Sequence, residues 1–158
     1  GGVEGSVAFK KKVEDVAGVG ASTGAESIAA ALKAYGGIRT VSFVSPYYPV
    51  ANAEVKRFLE ESGFTVVRDV PLQCQRWTDI AKVTPERLRG VIAELDGPEV
   101  DAIVQVGTNL SMVSLAAEAE ATLRKPVIAI NAATYWHALR ACGIKDKLPG
   151  LGRLLAEF

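Results

Sequence analysis

The polar residues that follow the apolar runs of this sequence have the types and spacing needed to bind a small anion. Gly107, Thr108 and Asn109 come directly after the apolar run at 102–106. Backbone N–H, hydroxyl and amide donors suit a carboxylate or a developing enolate oxygen when they are fixed in place before the ligand arrives. The other candidates of this kind follow the runs at 39–44 and 126–130, and they are Ser45, Tyr47, Tyr48, Asn131 and Thr134.

Gly107 marks the corner at which the run at 102–106 has to turn. Glycine lacks a Cβ and therefore allows a sharp turn at the end of a strand. We expect a helix from about residue 111 to residue 123, whose first N–H groups lack partners within the helix and attract anions. An ordinary strand-to-helix turn has the same residue types, so both interpretations stay open on this stretch alone.

Three other side chains could carry chemistry, namely His137, Cys74 and Cys142. We interpret His137, the only histidine, as structural rather than as a base, because it falls inside a predicted helix. Cys142 falls in the last turn of that helix, where a cysteine usually packs, and nothing beside Cys74 indicates a lowered pKa. No cluster of His, Asp and Glu is evident, so we expect no metal.

The composition argues against several other classes of protein. Of the 158 residues, 49% are hydrophobic, and 18 Lys and Arg balance 18 Asp and Glu to a net charge of zero. No basic excess favours nucleic acid, and no run approaches the roughly 18 apolar residues of a membrane helix. The two cysteines form no metal or redox motif, so we expect free thiols in the cytoplasm. The expected partner is a small carboxylate substrate, and a homo-oligomer is left open.

Apolar runs alternate with helical patterns along the whole chain. This alternation predicts an α/β fold with a mostly parallel sheet and right-handed crossovers. The predicted strands lie at 19–22, 39–44, 64–70, 101–106 and 126–130.

Capping residues mark where the predicted helices begin and end. Thr23, Asn52 and Thr84 are placed to cap helices, and the spacing from Thr23 to Glu26 is that of a capping box. Pro85 follows Thr84 in the favoured order of a cap and then a proline. Predicted helices end near Gly36, Gly63, Gly97 and Gly143.

Several short motifs resemble the aspartate/glutamate racemase superfamily, and in particular its arylmalonate decarboxylase and maleate cis-trans isomerase branch. The stretch 106–110, Val-Gly-Thr-Asn-Leu, resembles the second catalytic loop of that branch. Tyr47 resembles its substrate-contacting tyrosine, and Gly1 and Gly2 are similar to glycines that follow its first catalytic loop. Further similarities at 18–23, 126–141 and 149–155 extend the likeness over nearly the whole chain.

The resemblance implies a flavodoxin-like lobe, built as a parallel-sheet sandwich, within a two-lobed racemase-type fold. Residues 38–130 would form the second lobe, and residues 1–37 and 131–158 would belong to the first lobe. The family's first catalytic loop would precede Gly1.

The resemblance also assigns roles to individual residues. Related racemases and isomerases have a cysteine on each side of a cleft, whereas the decarboxylases have one cysteine and a glycine opposite. Gly107 stands at the position of the family's second cysteine, and a cysteine would fit there without strain if φ at this position were negative. The implied substrate-binding residues are Tyr47, Thr108, Asn109 and Ser45.

The function implied by the resemblance is a cofactor-independent isomerase, racemase or decarboxylase that acts on a malonate- or maleate-like carboxylate. A glycine is neither a base nor a nucleophile, so the thiol would come from the first loop. The alternative is a catalytically silent relative that binds a carboxylate or serves as a partner subunit. A flavodoxin-like nucleotide-binding module is disfavoured, because the sequence lacks a glycine-rich phosphate loop.

Overall fold

A computed structural model describes all residues, 1–158, and contains one four-stranded parallel sheet. The strand order is β2-β1-β3-β4, so β1 and β3 are the central pair. Both central strands are buried almost throughout, which explains why they read as continuous apolar runs. The strands are β1 (Thr40–Ser45), β2 (Thr65–Pro71), β3 (Ala102–Gln105) and β4 (Val127–Ala129).

Helices connect the strands in the alternation that the sequence predicts. α3 (Pro49–Glu61) joins β1 to β2, and α6 (Val113–Leu123) joins β3 to β4. The predicted α/β class with a parallel sheet is therefore confirmed. The other helices are α1 (Gly2–Ala17), α2 (Gly24–Tyr35), α4 (Trp77–Ile80), α5 (Pro85–Leu95), α7 (Ile130–Ala141) and α8 (Arg153–Glu157).

A single hydrophobic core of 31 buried residues runs across the sheet and its helices. Phe43 and Ile103 of the central strands are completely buried in it. Leu32 of α2 and Leu88 of α5 are nearly as buried, and they bring the two helices into the same core, with α2 packed against α7 and α5 against β1 and β2. This core fixes the carboxyl ends of β1 and β3 next to each other, which matters for the site described below.

Two of the predicted helix starts are confirmed by side-chain caps. The Thr23 hydroxyl accepts a hydrogen bond from Glu26 N at 3.2 Å, and the Thr84 hydroxyl accepts one from Arg87 N at 3.2 Å. The capping box at Thr23 is only half formed. The Glu26 carboxylate does not reach back to Thr23 and instead accepts from Lys10 Nζ at 2.7 Å, which ties α2 to α1.

The predicted cap at Asn52 is wrong. α3 begins at Pro49 with Tyr48 as its N-cap, because the proline ring already holds the φ that the first helical residue needs. Asn52 lies inside the first turn, where its buried side chain contacts β1 and β2.

The predicted strand at 19–22 is also wrong, since these residues adopt no regular structure. A strand is stabilised only by a neighbour that completes its ladder of hydrogen bonds, and none of the four strands lies beside this stretch. The helix expected from about residue 111 begins at Val113, so the turn after Gly107 does not open directly into it.

α1 is a regular helix with few apolar contacts to the rest of the molecule. Gly2 is its only buried residue, and Val3 N donates a hydrogen bond to Glu61 of α3 at 2.6 Å. None of the eight helices has the length and apolar composition that crossing a membrane would require. The outward face of α1 carries the exposed side chains of Phe9, Val13 and Val16.

Candidate carboxylate site

The parallel pairing of β1 and β3 brings two of the predicted site segments together. Val44 is paired with Gln105, so the residues that follow each strand leave the sheet at the same edge. The Tyr47 hydroxyl lies 3.8 Å from the point that a Cβ on Gly107 would occupy. Tyr47 and the 107–109 loop therefore border one corner of the molecule, at the carboxyl edge where ligands of open parallel sheets bind.

Two carbonyl groups of the 107–109 loop accept hydrogen bonds from the rest of the protein. The Gly107 carbonyl accepts hydrogen bonds from Gln105 Nε2 at 2.7 Å and from Leu110 N at 3.0 Å. The Thr108 carbonyl accepts one from Asn131 Nδ2 at 3.0 Å. The N–H groups of Gly107, Thr108 and Asn109 have no partner within the chain. Three successive N–H groups without a partner at a sheet edge are donors available to an anion.

Tyr47 supplies a hydroxyl next to this loop. Its side chain is half-buried, and burial raises the pKa of the phenol above its ordinary value. The raised pKa keeps the hydroxyl protonated at neutral pH, so it remains a hydrogen-bond donor. Tyr47 also lines a largely apolar cavity of about 300 Å³ together with Phe58, Val106 and Ile130.

Ser45 lies beneath this surface and is completely buried. Its hydroxyl donates to Asn52 Oδ1 at 2.6 Å and accepts from Tyr47 N at 3.2 Å. Asn52 in turn donates through Nδ2 to the Asp69 carboxylate on β2. The structure therefore places Ser45 as a support of the segment that carries Tyr47, and its role as a substrate-binding residue stays a prediction.

Thr108 and Asn109 are exposed on the same loop, and neither side chain has a hydrogen-bond partner within the chain. Both are therefore free to contact a ligand that sits at this edge of the sheet. Their roles as substrate-binding residues stay predictions, as does the role of Tyr47.

The φ of Gly107 is +98°, a positive value at which a cysteine fits poorly. A Cβ built on Gly107 would lie 2.5 Å from Cδ and 2.6 Å from Cγ of Pro46. The buried proline ring packs against the face of the glycine that a side chain would need. A cysteine at this position would require a rearrangement of the Pro46 segment, which weakens the correspondence with the family's second cysteine.

Cys74 lacks the environment of an activated thiol. Cys74 is half-buried after β2, and burial, followed by the nearby Asp79 carboxylate, raises the pKa of its thiol. A raised pKa disfavours the thiolate, which is the reactive form. Cys142 is exposed at the end of α7.

His137 connects two helices. Its Nδ1 lies 3.1 Å from the hydroxyl oxygens of both Ser22 and Ser27. Ser27 is completely buried in α2, so this cluster joins α7 to the start of α2. The contact agrees with the structural interpretation of His137. No group of three or more His, Cys, Asp or Glu side chains is arranged to hold a metal ion.

The sequence-based prediction did not include Pro46 and Gln105, and it included Asn131 as a candidate ligand-binding residue rather than as a support of the loop. A signal for Gln105 was present, because a lone polar residue in the middle of a buried apolar run requires an internal partner. The contact of Pro46 with Gly107 joins residues that are far apart in sequence, and no local pattern indicates it.

Fold and site together define a class of protein, namely α/β proteins that present backbone N–H groups and a tyrosine hydroxyl at one corner of a parallel sheet. The profile of the family described as arylmalonate decarboxylase matches residues 2–155. The chain belongs to this family, and its fold is the aspartate/glutamate racemase-like fold of its structural neighbours. The resemblance drawn from the short sequence motifs is confirmed.

Curated relatives of the chain are maleate isomerases. The enzyme from Pseudomonas putida is 31% identical over 120 residues, which are 75% of this chain and 48% of the relative. The enzyme from Nocardia farcinica is 29% identical over 118 residues, which are 74% of this chain and 47% of the relative. The chain thus spans about half the length of these curated relatives.

Solved structures of both branches superpose closely. A Nocardia farcinica maleate cis-trans isomerase variant with a covalently bound succinylcysteine intermediate gives a TM-score of 0.87 at 25% identity, covering 96% of this chain and 64% of the other. A liganded double mutant of arylmalonate decarboxylase gives a TM-score of 0.90 at 26% identity, and the superposition covers 99% of this chain and 68% of the other. The two-lobe division predicted from the sequence stays a prediction.

Proposed function

We propose that this protein is a cofactor-independent isomerase, racemase or decarboxylase that acts on a small malonate- or maleate-like carboxylate. The observation that carries the proposal is the row of three free N–H groups at 107–109 beside the Tyr47 hydroxyl. Such preorganised donors stabilise a carboxylate and, more strongly, the enediolate that forms when a proton or CO₂ leaves the adjacent carbon. A cytoplasmic location and a homo-oligomer belong to the same proposal.

The site described here holds the substrate but supplies no proton. Gly107 has no side chain, and the raised pKa of Tyr47 makes its phenol a hydrogen-bond donor rather than a base. The proposal therefore needs a thiol that faces Gly107, which the resemblance assigns to the family's first catalytic loop. With one thiol, proton delivery to a single face of the intermediate is easier than two-base racemisation.

The second candidate is a catalytically silent relative that binds a carboxylate or serves as a partner subunit. The specific observation in its favour is Pro46, whose ring fills the space that a thiol at Gly107 would use. The raised pKa of Cys74 also leaves that thiol unsuited to replace it. The two candidates share a binding site and differ in turnover.

The first test is a calorimetric titration of the chain with maleate and with malonate. We expect Tyr47→Phe to weaken binding about tenfold, because a hydrogen bond to a charged group is lost. Tyr48→Phe is the matched control, since Tyr48 is the exposed neighbour and N-cap of α3, and it should bind like the unmodified chain. Equal affinities of the two variants would remove Tyr47 from the site, and the absence of binding by the unmodified chain would contradict both candidates.

Turnover separates the two candidates. Maleate incubated with the intact protein and followed by proton NMR should give fumarate if the protein is an isomerase, and an aryl-substituted malonate should lose CO₂ if it is a decarboxylase. Binding of maleate or malonate without either product would favour the silent relative.

A further inference from the structure

Gln105 is an unusual residue for its position. It occupies the last place of β3, between Val44 on one neighbouring strand and Ala129 on the other, and it is completely buried. A buried amide without hydrogen-bond partners lowers the stability of the protein, so the partners of Gln105 show what holds this side chain in the core. Its Nε2 donates to the Gly107 carbonyl at 2.7 Å, and its Oε1 accepts from Ile130 N at 3.4 Å. The side chain thus joins the 107–109 loop to the first residue of α7.

The direction of each carbonyl fixes the direction of the following N–H group, because the two point opposite ways in a trans peptide. The Gly107 carbonyl points at the buried Gln105 amide, so the Thr108 N–H points away from the core. The Thr108 carbonyl points at Asn131 of α7, which follows β4. Because β3 lies between β4 and β1, the Asn109 N–H then points toward the β1 side, where Tyr47 lies.

We propose that Gln105 and Asn131 are positioning residues, which hold the two loop carbonyls so that the Thr108 and Asn109 N–H groups face a carboxylate bound at the corner beside Tyr47. Gln105 acts from within the core and Asn131 acts from the exposed start of α7. The part of this inference that concerns the ligand rests on the proposed function. The part that concerns the loop can be tested without any ligand.

The ligand-free test is amide hydrogen exchange in the ¹⁵N-labelled chain, comparing the unmodified protein with Gln105→Met. Methionine has a similar length but cannot hold the Gly107 carbonyl, so the turn bond from Leu110 N to that carbonyl should open more often. We expect exchange at Leu110 to accelerate about tenfold, while amides of α2 remain unchanged. Unchanged exchange at Leu110 would overturn the role of Gln105.

The matched control is Glu120→Gln. Glu120, like Gln105, is buried and makes two hydrogen bonds, which it accepts from the Tyr35 hydroxyl at 2.6 Å and from Arg153 N at 2.7 Å. It lies on α6 and has no hydrogen bond to the loop. This variant should alter exchange near Arg153 and leave Leu110 unaffected. If both variants accelerate Leu110 equally, Gln105 contributes only general stability, and the inference is wrong.

The ligand test is the dissociation constant for maleate, measured by calorimetry. We expect Gln105→Met to raise it about tenfold and Asn131→Ala about fivefold, because misdirected N–H groups lose charge-assisted hydrogen bonds. Glu120→Gln should leave it unchanged. Normal affinity in both loop variants would overturn the inference, and so would a loss of affinity that appears equally in Glu120→Gln.

Asn131→Ala keeps the inference testable if Gln105→Met does not fold, because residue 131 is exposed. This variant should shift the Asn109 amide resonance, and an unshifted resonance would contradict the role of Asn131. If the unmodified chain binds neither maleate nor malonate, the proposed function fails, and the Leu110 and Asn109 amides alone decide whether these residues hold the loop.

Discussion

At the residue scale, Gly107 combines two constraints that can be separated experimentally. Its φ of +98° disfavours any side chain, and its contact with the Pro46 ring leaves no room for one. Gly63 has the same φ of +98° but open space around it. The pair therefore distinguishes backbone strain from steric overlap in one protein.

We expect Gly63→Ala to lower the free energy of unfolding by about 1–2 kcal/mol, the cost of a Cβ at positive φ. Gly107→Ala should lower it by a further ~1–3 kcal/mol, because overpacking against Pro46 is added. Urea denaturation measures both values. Pro46→Ala combined with Gly107→Ala should bring the cost of the Gly107 substitution back toward that at Gly63. Equal costs at the two glycines in the unmodified background would show that Pro46 does not restrict Gly107.

At the element scale, Asp101 joins the beginnings of the two central strands. Its carboxylate accepts hydrogen bonds from Arg39 N at 2.8 Å and from Thr40 N at 2.9 Å, and its own N–H donates to the Thr40 hydroxyl at 3.1 Å. The bonds from the Thr40 and Arg39 backbone lower the pKa of the Asp101 carboxyl. These hydrogen bonds lie at the amino-terminal ends of β1 and β3, opposite to the candidate site at the carboxyl ends, and they hold the two strands in register.

The lowered pKa predicts a specific dependence of stability on pH. A carboxyl whose pKa is lower in the folded state stabilises the protein fully above its unfolded pKa of about 4, and this contribution disappears as the pH falls through the folded value. Asp101→Asn should therefore lower the free energy of unfolding by about 1 kcal/mol at pH 7, a value reduced for the exposure of the group. The difference from the unmodified chain should shrink as the pH is lowered from about 4 to about 2.

Asp15→Asn is the control for that experiment. Asp15 is an exposed residue of α1 whose carboxylate pairs with Lys11 at 3.0 Å, and its substitution should change the free energy of unfolding by less than about 0.5 kcal/mol. A pH-independent difference between Asp101→Asn and the unmodified chain would contradict the role assigned to the carboxylate.

At the scale of the whole molecule, the longest helix is also one of the least buried. α1 has 16 residues, of which only Gly2 is buried, whereas α2 has 12 residues, of which five are buried. Helical stability in proteins comes mainly from a packed apolar face rather than from intrinsic propensity. α1 should therefore open locally far more often than the elements around the core.

Hydrogen exchange followed by mass spectrometry tests this expectation. Peptides from α1 should exchange at least about 100-fold faster than peptides from β1 and β3, because opening α1 exposes little apolar surface. α2 is the internal control, as a helix of comparable length that packs on the core. Equal protection of α1 and α2 would show that α1 is stabilised by contacts other than those described here.

The sequence by itself determined the features that depend on neighbouring residues. Alternating apolar runs and helical patterns specified the α/β class, because burial and hydrogen bonding within each element follow from local periodicity. The caps at Thr23 and Thr84 were predictable for the same reason, since each hydroxyl bonds a backbone N–H three residues ahead. The short motifs around Tyr47 and the 107–109 loop were sufficient to indicate the family.

Only the tertiary structure decided how those residues are used. The apolar stretch at 19–22 is not a strand because no neighbouring strand pairs with it. The positive φ of Gly107 coincides with the packing of Pro46 against it, and the Ser45 hydroxyl is engaged by Asn52 rather than exposed. Each of these outcomes depends on tertiary packing, and the contact between Gly107 and Pro46 forms only when the core brings the carboxyl ends of β1 and β3 together.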